Sequence, residues 1–323
     1  MNTNEIRTRY LKFFEAKGHR RLPSDSLVPE NDPTLLFTGA GMNQFKAQFM
    51  GEITDYTRAT TSQKCLRTGD LENVGKTSSH HSFFEMLGNF SFGDYFKEEA
   101  IRWAWELLVG DFRIDPALLW ISVYEQDEEA YRIWKEQIKV PQDRILKLGP
   151  KENFWPADAP DKGPNGPCGP CSEIFFDRGE AKGEERLVEI WNLVFTQFDR
   201  KDGGALDPLP NKNIDTGMGL ERMAAVMQGV DTNFEIDLFA PIRQRILKLA
   251  GGAGLRELGP KVRDLNAIAD HVRAAAFCIS DGVIPGNEGR GYVIRKLIRK
   301  AAWHARMLGV EGLFQSEVAA AVV

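Results

Sequence analysis

Apolar residues recur along this chain with two periods, and each change of period marks a new element. Over residues 4–17, Ile6, Tyr10, Phe13 and Phe14 fall on one helical face, and Gly18 closes the run. Residues 23–33 are rich in prolines and acids and read as loop. Leu35, Leu36, Phe37 and Thr38 read as a short buried strand, followed by Gly39-Ala40-Gly41 and a helix over 42–49. Residues 57–68 and 83–92 alternate in the manner of strands, with the polar stretch 69–82 as a long hairpin loop between them. A helix is expected over 94–110. Asp94 is its N-cap, Gly110 its stop, and Phe96, Ile101, Trp105 and Leu108 its core face. Residues 119–124 predict a strand and 127–138 an acidic helix. Residues 149–171 hold six prolines and four glycines, which predicts a long functional loop and neither a helix nor a central strand. Strands resume at 173–176 and 187–198, and residues 213–224 turn from strand into helix.

Beyond Gly251-Gly252-Ala253-Gly254, which reads as a boundary, the pattern is helical. Val262, Leu265, Ile268, Ala269, Val272, Ala276 and Ile279 mark one face, and a second helix runs over 292–308. Strands joined by long hairpins, with helices irregularly interspersed, predict an α+β fold: an antiparallel sheet flanked by helices and followed by a helical domain. No βαβ rhythm repeats and no GxxxxGK[ST] occurs, which argues against a Rossmann or P-loop nucleotide site.

Composition narrows the class. A length of 323 residues suits two domains, and 42% apolar with 27% charged residues is ordinary globular material. A net charge of −5 excludes a polycation held to nucleic acid by bulk charge, so any such surface must be local. One local surface exists. Between residues 290 and 306 stand six basic residues and no acid: Arg290, Arg295, Lys296, Arg299, Lys300 and Arg306. A solvated helix face would also suit this run; the lack of acids favours phosphate contact. The polar N-terminus and the lack of an 18-residue apolar run predict a cytoplasmic chain with reduced thiols and no membrane segment. Of the four cysteines only Cys168 and Cys171 are close, and no second pair completes a zinc site.

The densest chemistry lies in NIDTGMGLERMA, residues 213–224. Gly217 and Gly219 allow a ligand close to the backbone, Arg222 can reach a nucleotide triphosphate, and Asp215 can hold an ammonium group or a metal ion. The same letters would also serve as a plain glycine turn with a surface arginine. The 57–92 hairpin decides between them. Arg67 ends its first strand, and His80, His81, Phe84 and Glu85 start the return. An arginine facing an aromatic across strands can bind phosphate and help hold a base. Two guanidinium groups, Arg67 and Arg222, would stabilise charge as a carboxylate attacks an α-phosphate, without any protein nucleophile.

These segments resemble the alanyl-tRNA synthetase family, a class II aminoacyl-tRNA synthetase family. LLFTGAGMNQFKAQFMG (35–51) is similar to its first class motif; QKCLRTGDLENVG (63–75) with HHSFFEMLGNFSFGDYF (80–96) to the second; NIDTGMGLERMA to the third. NGPCGPCSE (165–173), WNLVF (191–195) and DGVIPGNEGRGYVIRKLIRKA (281–301) extend the likeness over nearly the whole chain. The resemblance implies a class II catalytic domain over 1–245 and the start of a helical tRNA-recognition domain over 255–323, cut short at Val323. It implies ATP-dependent activation of L-alanine and transfer to alanine tRNA, with Mg2+ and without zinc in this fragment. Arg67 and Arg222 would be catalytic. Arg67, His80, His81, Phe84, Gly219 and Arg222 would bind ATP; Met86, Trp155, Asn192, Val194, Asp215 and Gly217 would bind alanine. Asn287, Arg290, Arg295, Lys296 and Arg299 would meet the tRNA acceptor stem, and the fragment would be a monomer.

Two departures from the family pattern stand out. The loop after Arg67 is short, with Thr68-Gly69-Asp70 leading directly to Leu71, so any basic contact it makes elsewhere would pass to Lys76, His80 or His81. Gly39 replaces the usual asparagine. Two other functions fit parts of the pattern: a short paralogue that loads a carrier, and a non-catalytic RNA-binding relative. The retained Arg67, Asp215 and Arg222 speak against the second.

Overall fold

Alternation becomes a sheet wherever both faces find cover, and the β2–β3 hairpin shows this first. In the computed structural model Arg58–Leu66 (β2) and Phe83–Phe92 (β3) pair antiparallel from Arg58–Ser91 to Leu66–Phe83. The structure describes residues 1–323 except 31, 33, 54, 70, 253, 254 and 323. Asp70 of the short loop and Ala253 and Gly254 of the expected boundary therefore lie outside the described residues. The other strands are β1 (Arg20–Arg21), β4 (Leu119–Tyr124), β5 (Ile145–Leu148), β6 (Phe154–Trp155), β7 (Gly166–Asp177), β8 (Leu187–Arg200) and β9 (Leu206–Gly219). They form one nine-stranded sheet in the order β1-β2-β3-β9-β8-β7-β4-β5, with β6 paired off the path to β7. The strands from β2 to β4 in that order are antiparallel throughout. The two edges are parallel pairs, β1 with β2 and β4 with β5, so the sheet is mixed and not purely antiparallel.

The helices are α1 (Thr3–Ala16), α2 (Lys46–Phe49), α3 (Lys97–Trp105), α4 (Glu128–Arg132), α5 (Pro150–Asn153), α6 (Leu220–Gln228), α7 (Ala240–Leu249), α8 (Leu255–Leu258), α9 (Val262–Ser280), α10 (Gly289–Leu308) and α11 (Gln315–Ala319). A capping box starts α1: Asn2 accepts from the Glu5 amide while the Glu5 carboxylate accepts from the Asn2 amide, both at 2.9 Å. The main core buries Ile6, Tyr10 and Phe14 of α1 with Trp191 of β8, Met218 of β9 and Leu265 and Ile268 of α9. A second apolar cluster joins Leu66 and Phe83 of the hairpin to Ala274, Cys278 and Leu297 of α9 and α10. The helical pair is thereby fixed to the sheet by apolar burial and not tethered by a linker.

Several expectations need correction. Residues 35–38 form no strand, although Thr38 exchanges backbone bonds with Leu27 and Leu66. Asp94 does not cap the next helix. It takes a bidentate pair from Arg58 at 2.9 Å, and the helix starts at Lys97 behind Phe96. The proline-rich stretch 149–171 is not one long loop. It holds α5, β6 and the first half of β7, which lies between β8 and β4. Pro170 is tolerated there because the β7–β8 register slips between Cys168 and Cys171, relieving the ladder of its missing donor, while Pro167 stays in register with Asp199 just before the slip. Gly169 fits because a Cβ there would come within 2.0 Å of the Phe195 carbonyl oxygen. In α9 the expected face ends early: Ile279 is exposed and Cys278 is buried in its place.

Candidate active site

Strand register assembles the site row by row. On β9, Asp215 stands opposite Phe90 of β3 and Val194 of β8; Gly217 opposite Asn192; Gly219 opposite Met86. On β7, Glu173 continues the row of Asn192. Side chains two apart on a strand share a face, so Asp215, Gly217 and Gly219 open on one side of the sheet. They open into a cavity of about 260 Å³. Arg67, His80, His81, Phe84, Met86, Trp155, Asn192, Val194, Asp215, Gly217, Gly219 and Arg222 all line it. The sequence had spread these twelve residues over four separate segments.

At the Asp215 end the cavity is narrow and poor in donors. Burial pushes the Asp215 carboxyl up to about 7, with no opposing partner. Asn192 donates to Glu173 at 3.3 Å, while its own Oδ1 is buried without a partner. Two acceptors thus wait for a donor, the arrangement an ammonium group would satisfy. A Cβ on Gly217 would meet the Met86 sulfur at 2.8 Å, so this glycine and Met86 together set the depth of the pocket. The Gly41 amide in turn donates to the Met86 sulfur at 3.3 Å and holds it there.

The other end carries the cations. The Arg67 Nε donates to the Gly39 carbonyl at 3.0 Å, and its guanidinium lies 5.2 Å from the Phe84 ring and 5.8 Å from that of Trp155. Arg222 donates to the Glu189 carboxylate at 2.8 Å and to its carbonyl at 3.0 Å. His80 pairs its Nδ1 with the Thr77 hydroxyl at 2.8 Å. His81 is buried, stacks on Phe239 and bonds Asp270 of α9 at 3.2 Å. Burial would raise Asp270, yet hydrogen bonds from His271 and His81 hold it well below the usual carboxylate range.

Four acids at this cavity were missed by sequence reasoning, and Glu152 of α5 is one of them. Glu173 and Glu189 share its wall, and Glu173 is pushed up to about 8, first by burial and then by Glu189. The alternation of β7 puts Glu173 on the face of Asn192, but the proline content of β7 hid it; Glu189 lies three residues before Asn192, and only the register shift between Ile174 and Phe175, which sets it opposite Phe175, brings it to that face. Glu221 is fully buried, ion-paired to Arg273 of α9 at 2.7 Å, and accepts from the Glu85 amide at 3.1 Å. Among the described residues no group of three or more His, Cys, Asp or Glu is arranged to hold a metal ion. Cys168 and Cys171 are buried free thiols on β7.

The basic helix α10 faces a separate groove of about 680 Å³. Asn287, Arg295, Lys296 and Arg299 line it, together with Lys76, Arg263, Lys300 and the half-exposed rings of Tyr292 and Trp303. Arg290 is not among the lining residues. Its guanidinium bonds the carbonyls of Leu36 and Leu35 at 2.5 and 3.1 Å and ties the start of α10 to the segment before Gly39.

Comparison with known proteins fits this geometry. Residues 5–323 match the model of the tRNA synthetases class II (A). The chain belongs to that family. It is 56% identical over 337 residues to the alanine–tRNA ligase of Thermotoga maritima, covering all of this chain and 38% of that protein. It is 52% identical to the alanine–tRNA ligase of Thermus thermophilus, covering 99% of this chain and 38% of that protein. The alanine–tRNA ligase of Acetivibrio thermocellus is 50% identical, over 100% of this chain and 37% of its own length. This class II chain therefore spans well under half the length of the curated relatives it matches.

Proposed function

We propose that this chain activates L-alanine with ATP to give alanyl-adenylate and pyrophosphate, and passes the alanine to the 3′ end of alanine tRNA. The observation that carries the reading is the Asp215 end of the cavity: a desolvated carboxylate beside the unpartnered Asn192 oxygen, closed by Met86 against Gly217. An amino acid with a one-carbon side chain fits it. Asp215 and Asn192 hold the ammonium, Met86, Trp155 and Val194 enclose the methyl, and the carboxylate turns towards the cationic end. Phe84 and Arg222 hold the base between them, and Arg67 meets the α-phosphate with help from His80 and His81. The two guanidinium groups stabilise the charge that develops as the phosphorus changes partners.

A divalent ion has a place in this scheme. Glu173 and Glu189 present two carboxylates to one cavity, and burial first, then the neighbouring Glu189, pushes Glu173 up. One or two carboxylates plus phosphate oxygens suit Mg2+. When bound, Mg2+ would neutralise phosphate charge; Glu173 and Glu189 would hold it.

We assign residues 1–245 to activation and 255–323 to the start of tRNA recognition. Asn287, Arg295, Lys296 and Arg299 carry the acceptor-stem contact, and Arg290 contributes by fixing α10. No described helix is long and apolar enough to cross a membrane. We place the chain in the cytoplasm, where ATP and tRNA are supplied, as a monomer. A pocket sized for one methyl separates alanine from glycine by only about 1–3 kcal/mol, and it excludes serine poorly. The test is ATP–pyrophosphate exchange run with alanine, serine and glycine side by side. Alanine-dependent exchange is expected, with weaker exchange from the other two. No exchange above background with millimolar alanine would overturn the reading.

A further inference from the structure

Strand β9 stops at Gly219, opposite Met86, and the chain turns into α6. Farther back along β3, Glu85 and Phe83 have no partner in β9. Backbone groups of residues two apart on an antiparallel strand point to the same side, so both need a bond there. Two side chains stand in for the missing strand. The Glu221 carboxylate accepts from the Glu85 amide at 3.1 Å, and the Arg273 guanidinium of α9 donates to the Phe83 carbonyl at 3.3 Å. The two side chains are also paired to each other at 2.7 Å. Phe84 lies between the two residues so held, Arg222 follows Glu221 directly, and both line the cavity.

This contact is out of water: Arg273 is 2% exposed and Glu221 1%. The Arg273 guanidinium lies 4.6 Å from the Phe83 ring and 5.2 Å from that of Phe239. A fourth element closes the set. Arg7 of α1 donates a bidentate pair to Glu85, both bonds at 2.7 Å, and Arg273 lies 3.8 Å from the same carboxylate. Burial would raise the Glu85 carboxyl, yet Arg7, Arg273 and Ser62 hold it below its usual range. Two guanidinium groups thus balance two buried carboxylates. Apolar residues of the same volume often serve stability as well as such a set, so stability alone gives no reason for it. Its place between β3 and the start of α6 does.

We propose that Arg273 and Glu221 are positioning residues for nucleotide binding, which together fix the separation of Phe84 and Arg222. These are the two groups that hold the base in the activation reading above, on which this inference rests. Glu221 acts through the Glu85 amide, and Arg273 acts through Glu221 and the Phe83 carbonyl. ATP binding therefore depends on α9, a helix in the segment assigned above to tRNA recognition. Residues 1–245 hold the reacting groups but not everything that sets their geometry.

Three variants of the whole chain test this. Arg273→Lys keeps the charge and loses the fork, so it can serve Glu221 or the Phe83 carbonyl but not both. Its KM for ATP in alanine-dependent exchange should rise about tenfold, the effect of a slightly misplaced binding group, while the KM for alanine changes less than about twofold. Glu221→Gln keeps an acceptor for the Glu85 amide and loses the ion pair, so its ATP KM should rise a few-fold (roughly 2–5). The paired variant Arg273→Met with Glu221→Gln leaves neither charge buried alone, so it keeps the fold. Its ATP KM should rise at least as far as that of Arg273→Lys. Separately, adenosine alone should raise the melting temperature of the unaltered chain and raise it less in the paired variant. A lowered melting temperature with an unchanged ATP KM, or an equal rise in the KM for ATP and for alanine, overturns the assignment, since a purely structural pair would give either. If the unaltered chain shows no exchange at all, the activation reading fails instead. The adenosine shift then decides: a smaller shift in the paired variant supports the positioning role, and an equal shift in both chains overturns it.

Discussion

The cavity floor and the α10 groove hold charge in opposite ways. At the floor Asp215 is buried, has no cationic partner, and is pushed up to about 7. In the groove Lys300 pairs with the exposed Glu72, Arg295 bonds Asn287, and the cations remain in water. The difference follows from ligand size. A small ligand brings one ammonium and must provide the whole counter-charge itself, so a desolvated acid is strongly selective for it. A long polyanion brings many charges, and exposed cations gain affinity by releasing its counterions without desolvation.

The sharpest way to break this contrast is to neutralise the floor. Asp215→Asn should lower kcat/KM for alanine by about a thousandfold, in the range of losing a charged bond to a buried group. The KM for ATP should change far less; equal weakening of both would remove Asp215 from the ammonium site. Arg222→Ala should lower kcat by about a hundred- to a thousandfold, as removal of a donor to developing charge does elsewhere. Single-turnover adenylate formation checks this, and a loss confined to ATP KM would make Arg222 a binding group only.

Gly217→Ala comes next in size. Its Cβ would meet the Met86 sulfur at 2.8 Å, the end of a flexible side chain, so the fold should survive. Overpacking of about 1–3 kcal/mol predicts a roughly ten- to hundredfold rise in alanine KM with little change in melting temperature. Gly169→Ala is the contrast, since its Cβ would strike backbone at 2.0 Å and should cost stability first.

The floor should also reveal itself through pH. Asp215 moves from 3.8 to about 7 on folding, so the folded chain holds an extra proton between those values. Stability in the absence of alanine should fall as pH rises through that window and level off above it, by up to about 4 kcal/mol from this group. Glu173, moved from 4.5 to about 8, acts in the same direction. Asp215→Asn should flatten the lower part of the slope in melting curves from pH 4 to 8; an unchanged slope would mean the carboxylate finds a partner on folding.

The smallest effects belong to the groove. Lys296→Ala or Arg299→Ala should weaken tRNA binding a few-fold, and each should reduce the salt slope by about one. A loss independent of salt would show a structural role and erase the contrast with the floor.

Much of this was legible in residues alone. The alternation of 83–92, the helix face of α9 and the glycines of 213–224 report local preference and needed no tertiary knowledge. Asp94 was misread because a good N-cap residue is also a good partner for Arg58, which lies far from it in sequence. Residues 149–171 were misread because a proline veto on central strands assumes an unbroken ladder, and the slip between Cys168 and Cys171 breaks it. Glu173 stayed hidden behind the prolines of β7, and Glu189 because only the register shift that sets it opposite Phe175 brings it to the face of Glu173.

By itself the sequence determined which segments alternate, where the backbone can come close to a ligand, and which chemical groups are present. It therefore determined the α+β class and twelve of the residues that line the cavity, but not its four glutamates. Tertiary structure decided what surrounds those groups: the lone burial of Asp215, the Met86 stop against Gly217, the diversion of Arg290 to the carbonyls of Leu35 and Leu36, and the hold of Arg273 on Glu221. The physical reason is that identity and spacing are local properties of a chain. Desolvation and counter-charge depend on which distant segments fold against it.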